Sequence, residues 1–120
     1  MSIVRNNIRI SLNIPSYANV TIYWLGAHLT VTFPIKEKLF NRIDRVADDD
    51  TLRFQKGNRY YISRTAYIPF SEIAEQNTLE NLIRKKANEM RLQLMIVRRH
   101  AEIDYLRDER TLLIRELDSL

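Results

Sequence analysis

The sequence predicts an α+β protein: an antiparallel sheet of about five strands with one short helix, followed by a long C-terminal helix. Three observations carry that prediction. Strict apolar–polar alternation recurs in short runs between residues 8 and 68, which is the period of half-buried strands. All three prolines and both glycines fall within residues 15–69, where they punctuate those runs. From Thr78 to about Asp118 there is neither proline nor glycine, and apolar residues recur at steps of three and four.

The first strand is IRISLNI, residues 8–14. Ile8, Ile10, Leu12 and Ile14 form one face, Arg9, Ser11 and Asn13 the other, and Pro15 ends the run. The stretch VTIYWLGAHLTVTF, residues 20–33, reads as a hairpin turning at Gly26-Ala27, where Gly26 suits a type II′ turn. That register pairs Trp24 with Leu29, Ile22 with Val31 and Val20 with Phe33 on the apolar face. Tyr23 then faces Thr30, and Thr21 faces Thr32, on a hydroxyl-lined face. Pro34 is expected to stop the strand. Ile35, Leu39, Ile43 and Val46 then define an amphipathic helix of about three turns that ends near Ala47. Asp48 to Asp50 are expected to form a solvated turn, because acidic groups oppose the macrodipole at a helix C-terminus.

A second hairpin spans residues 51–68. A two-residue Gly57-Asn58 loop would pair Phe54 with Tyr61 and Arg53 with Ile62. A three-residue loop with Asn58 left-handed would pair Phe54 with Tyr60 and Leu52 with Ile62. The second register sorts the faces better and is preferred. It sends Arg53, Gln55, Arg59 and Tyr61 outward and leaves Arg64 on the inner series, where a bulge or strand end would have to relieve it.

Asn77-Thr78-Leu79-Glu80 resembles a capping box, with Asn77 as N-cap and Glu80 reaching back. Some forty residues of helix extend about 60 Å. Two seams run along it. Ile83, Ala87, Met90, Leu94, Val97 and Ala101 form one. Leu92, Ile96, Ile103, Leu106, Leu113, Leu117 and Leu120 form the other, with Arg99 and Arg110 at its interrupted positions. Residues 90 and 92 lie about 200° apart around a helix, so the seams point in nearly opposite directions. The economical arrangement puts the sheet on one seam and another subunit on the other, with Leu92, Ile96, Ile103, Leu106, Leu113 and Leu117 as the oligomer interface. The alternative is a break near Arg98-Arg99-His100 and a helical hairpin. The chain therefore divides into a β-rich basic domain, residues 1–70, and a C-terminal helical oligomerisation segment, residues 71–120, within one structural unit.

Composition narrows the function. A chain of 120 residues buries about 65% of its unfolded surface, enough for a core without staples. With no cysteine there are no disulfides, thiolate nucleophiles or Cys-bearing zinc sites. No signal pattern opens the chain and no apolar run approaches 18 residues, so a soluble, cytoplasmic protein without membrane association is expected. The two glycines sit in the two expected turns, which excludes Gly-rich phosphate loops. His28 and His100 lie far apart in sequence, and no serine sits in a nucleophile elbow. Asp44, Asp48, Asp49 and Asp50 match no calcium-loop spacing. Neither an enzyme nor a bound metal or cofactor is expected.

Charge is uneven. Residues 1–70 carry ten Lys/Arg against five acids, while residues 71–120 carry nine against ten. The expected function is a non-enzymatic homo-oligomer whose basic sheet face binds a phosphate-bearing ligand, a nucleic acid or a nucleotide. Arg9, Arg53, Lys56 and Arg59 would grip phosphate, and Tyr23 and Tyr61 would stack on bases. The alternative is a small protein–protein module, an adaptor or inhibitor of the kind found among phage and mobile-element proteins, docking on a macromolecular partner.

Overall fold

The computed structural model describes residues 6–12, 16–72 and 78–120. Five strands form one antiparallel sheet: β1 (Asn6–Ser11), β2 (Tyr17–Ile22), β3 (Gly26–Ile35), β4 (Leu52–Lys56) and β5 (Arg59–Pro69). Their spatial order is β1-β2-β3-β5-β4. Two one-turn helices, α1 (Glu37–Phe40) and α2 (Ile43–Val46), connect β3 to β4. A 3-10 turn at Phe70–Glu72 follows β5, and α3 runs unbroken over Leu79–Asp118. The helix cap is Thr78, whose hydroxyl accepts the Asn81 N–H at 3.1 Å. The expected cap Asn77, like Asn13, Ile14 and Pro15, lies outside the described residues.

The core lies between one face of the sheet and α3. Val20, Leu29, Val31, Phe33 and Ile62 point inward and are buried. Ile83, Ala87, Met90, Leu94, Val97 and Ala101 meet them from the helix and are buried as well. These six are the first seam of the sequence, and their 4-3 spacing is what keeps one stripe on the sheet for more than five turns. Beyond Ala101 the helix leaves the sheet and is braced by α1 and α2. Arg42 reaches Asp104 at 2.8 Å and Asp108 at 2.5 Å, and Arg45 reaches Asp104 at 2.6 Å. From Leu106 onward every residue is exposed. The projecting rod gives extents of 72 × 32 × 24 Å and a radius of gyration of 18.7 Å, against about 14 Å for a compact domain of this length.

Four local expectations are corrected. The β2–β3 register pairs Val20 with Leu29 and Ile22 with Ala27. The connection is therefore Tyr23–Leu25, not a turn at Gly26-Ala27, and Trp24 is 73% exposed instead of facing Leu29. The displacement is even, so each strand residue keeps its face. Gly26 serves a different purpose: a Cβ there would stand 2.4 Å from the Tyr67 hydroxyl and 2.7 Å from the Ile68 carbonyl oxygen. The glycine permits β5 to approach, and its φ is not positive.

Second, β3 continues through Pro34 to Ile35, which pairs with Tyr60. The ladder between β2 and β3 ends at Thr32, opposite Tyr17. Past it a residue without an N–H costs no hydrogen bond on that side. Third, the expected three-turn helix over residues 35–47 is two short pieces. The ladder shortens at the join, where the Arg42 N–H donates to Leu39 and the Arg45 N–H to Arg42.

Fourth, the β4–β5 loop has two residues. Gly57, at φ +62°, supplies the left-handed position, and Asn58 does not. Phe54 pairs with Tyr61 and Arg53 with Ile62. The preferred three-residue loop differs by one residue on one strand, and that odd shift exchanges the faces of β4. Arg53 consequently shares the inner face with Ile62, at the sheet edge. There it meets Asp44 at 2.6 Å and the Phe40 carbonyl at 3.2 Å. Arg64 is also on the inner face and is buried; no bulge relieves it. Asp48 binds it directly, with Asp50 at 3.9 Å. The acidic turn is thus the counter-charge of a buried arginine.

Candidate functional site

The sheet has a second face that none of the described helices covers. Directly opposed strand residues share a face, so the pairs Thr21–His28, Tyr17–Thr32, Thr32–Ser63, Pro34–Tyr61 and Phe54–Tyr61 all lie on it. Its two ends differ. At the Trp24 end, His28 sits between two tyrosines, with ring centroids 5.5 Å from Tyr23 and 5.1 Å from Tyr67. At the opposite end, a shallow depression of about 700 Å³ opens between Arg9, Tyr17, Pro34, Lys36, Arg59 and Tyr61.

The depression is built from strand ends. The Arg9 guanidinium carbon lies over the Tyr17 ring, 4.1 Å from its centre, a cation–π contact. Tyr61 stacks on Phe54 at 5.0 Å with planes only 16° apart. That contact covers one face of the Tyr61 ring, which lines the depression together with Pro34 and Arg59. Between the two tyrosines, Thr32 and Ser63 are buried. Lys56 pairs in register with Arg59 at the hairpin tip, just outside the depression. One acid, Glu37, lines the same opening. It accepts the hydroxyl of Tyr60, whose pKa is raised by burial first and by Glu37 second.

The described cations of the first seventy residues divide between the two sides. Arg42, Arg45, Arg53 and Arg64 are bound to aspartates on the core side. Lys38 lies over the Tyr105 ring at 4.4 Å. Arg9, Lys36, Lys56 and Arg59 have no acidic partner among the described residues. A second depression, of about 570 Å³ between α1 and α3, is closer to charge balance, since Glu102 and Glu109 line it beside Lys36, Lys38 and Arg98.

Of the six sequence-predicted ligand residues, Arg9, Arg59 and Tyr61 come together and Lys56 stands beside them. Tyr23 is at the far end of the same face. Arg53 is on the other face and is held by Asp44, so it is withdrawn from the set. Tyr17, Pro34 and Lys36 complete the depression and were not singled out. Tyr17 was legible as the start of the alternation Tyr17, Asn19, Thr21; Lys36 was hidden because Pro34 reads as a strand stop.

The expected interface residues Leu92, Ile96, Ile103, Leu106, Leu113 and Leu117 are between 46% and 67% exposed, on the side of α3 turned from the sheet. Among the described residues no group of three or more His, Cys, Asp or Glu gathers as a metal would need. None of their helices is long and apolar enough to cross a membrane. No protein-family model, curated protein or solved structure matches the chain.

Proposed function

We propose that the protein is a non-enzymatic, self-associating binding protein whose uncovered sheet face takes a phosphate-bearing ligand, a single-stranded nucleic acid or a nucleotide. The observation that carries this reading is the division of cations. Arg42, Arg45, Arg53 and Arg64 are neutralised by aspartates, whereas Arg9, Lys36, Lys56 and Arg59 cluster without acidic partners among the described residues around Tyr17 and Tyr61. Guanidinium groups fork phosphate oxygens, and tyrosine rings stack on any base, so the pair of residue types suits a nucleotide chain. A flat sheet with a shallow opening suits an extended strand better than an enclosed small molecule.

The test is a fluorescence-anisotropy titration of a labelled single-stranded oligonucleotide at low salt. Arg9→Glu with Arg59→Glu is expected to remove binding while the circular dichroism spectrum stays unchanged. Arg53→Gln, on the other face, is expected to leave it within about twofold, because it changes no charge facing the ligand. Equal binding by wild type and the double variant would sink the reading.

A protein-docking reading is favoured by one observation, the tip formed by Trp24 and Leu25, 73% and 69% exposed. Large exposed apolar side chains at a loop tip are typical contact anchors. If that module is the main function, Trp24→Ala abolishes partner binding and the oligonucleotide titration is flat.

A further inference from the structure

The outward seam of α3 is an unbroken heptad register. From Leu92 the steps are four, three, four, three, four, three, four, three, ending at Leu120. Leu92, Arg99, Leu106, Leu113 and Leu120 occupy d positions, and Ile96, Ile103, Arg110 and Leu117 occupy a positions. All seven apolar members are exposed, and a seam sustained over four heptads is the pattern of a coiled coil. The helix that bears it is continuous, and from Leu106 onward every residue is exposed, while Ile103 and Leu106 also border openings shared with Val46 of α2 and Leu39 of α1.

The geometry points to a second copy of this chain as the occupant, docked in register and parallel, as a two-stranded coiled coil over residues 92–120. This inference rests on the self-association proposed above and gives it an orientation. Isoleucine at a with leucine at d, as in Ile96, Ile103, Leu106 and Leu113, favours two strands. Charge then selects direction. The g positions flanking the seam are Met95, Glu102, Glu109 and Glu116, and the e positions are Gln93, His100, Arg107 and Ile114. An antiparallel pair sets g against g and e against e, bringing glutamates together and basic groups together. A parallel pair sets Glu102 beside the partner's Arg107 instead.

The two arginines in the seam fit the same arrangement. Arg99 is neutralised within its own chain, by Glu102 at 2.8 Å. Arg110 has no acidic partner among the described residues. As a knob at an a position of a parallel pair it packs beside the partner's Glu109, the g residue immediately before the facing a position. A single charged a position of this kind costs stability and fixes register.

The chain has no cysteine, so single-cysteine variants report orientation directly. Leu113→Cys in the full-length protein is expected to convert on mild oxidation to a disulfide-linked dimer, because identical d residues meet only in a parallel, in-register pair. Leu112→Cys, exposed but one position off the seam, is expected to remain largely unlinked. Both sites lie in the projecting part of α3, outside the core. Sedimentation equilibrium of the unmodified chain is expected to give twice 14.3 kDa at micromolar concentration. Glu109→Arg is expected to weaken association by about tenfold, and adding Arg110→Glu to restore it.

A single-chain mass, a trimer, or equal cross-linking at 112 and 113 would overturn the parallel dimer. The titration of the preceding section separates the two ideas. A monomer that still binds oligonucleotide removes only the coil; a cross-linked dimer that binds none removes only the ligand face.

Discussion

At the scale of single residues, the chain is governed by what happens to its arginines. Arg64 sits on a buried series, opposite Val31, and a buried guanidinium without a counter-charge is costly. Asp48 supplies the charge, and the hydrogen bond from Arg64 is the main reason its carboxyl titrates below the ordinary range. Asp108 is lowered in the same way by Arg42. The sign follows from linkage. The native state binds fewer protons than the unfolded chain, whose aspartates titrate near 3.9, so stability rises with pH through the acid range. The two pairs stabilise the fold fully above the unfolded value, and that stabilisation is lost as pH falls through the depressed native values. Asp48→Asn is expected to cost about 1–2 kcal/mol at pH 6, at the low end for a buried unpaired cation because Asp48 itself is half exposed. The deficit should close as the wild type is acidified below pH ~3. Urea melts at the two pH values check it, and a deficit that persists in acid would show that Asp48 acts through something other than its charge.

At the scale of elements, α3 is two helices in one. Its first seam is core and its second is surface, although both carry the same residue types. Leu94→Ala is expected to destabilise the folded chain by about 2–5 kcal/mol, the usual cost of emptying a leucine site in a core. Leu113→Ala, in dilute solution where any dimer has dissociated, is expected to stay within about 0.5 kcal/mol. Paired denaturation curves decide between them, and a large loss at Leu113 would mean that the rod folds back on the chain. The seams were legible because helical spacing depends only on which residues are apolar. Strand existence was legible for the same reason, from period two. Registers were not, because they hang on single turn residues. Gly26 reads as a turn glycine until Tyr67 and Ile68 are seen against it, and that error left every face intact. Gly57 against Asn58 is a choice of one residue, and the wrong choice turned Arg53 from a core-side ion pair into a supposed ligand group. The partners of Arg64 and Arg42 were not legible, since Asp48 and Asp108 approach them through folding, not through sequence proximity. Arg9, Arg59 and Tyr61 share one face as expected because they lie on strands whose face assignment did not change.

At the scale of the whole molecule, charge and shape tell the same story. The net charge of +4 is modest, yet the cations of the sheet region that lack an acidic partner among the described residues are gathered at one end of one sheet face, and the rod leaves from the core on the other side. A ligand could reach the sheet while a second copy lay along the helix, so the proposed binding and the proposed self-association call on separate surfaces. Four cations neutralising phosphates of a single strand give a slope of about −3 in log affinity against log salt, a loss of about fiftyfold between 50 and 200 mM. The most direct test of the ligand face is amide chemical-shift mapping of the isotope-labelled chain, titrated with a short single-stranded oligonucleotide at low salt. The shifts are predicted to cluster at Arg9, Tyr17, Lys36 and Arg59–Tyr61 and to reverse when salt is raised. Shifts confined to Trp24 and Leu25 or to α3, or no shifts at all, would contradict it.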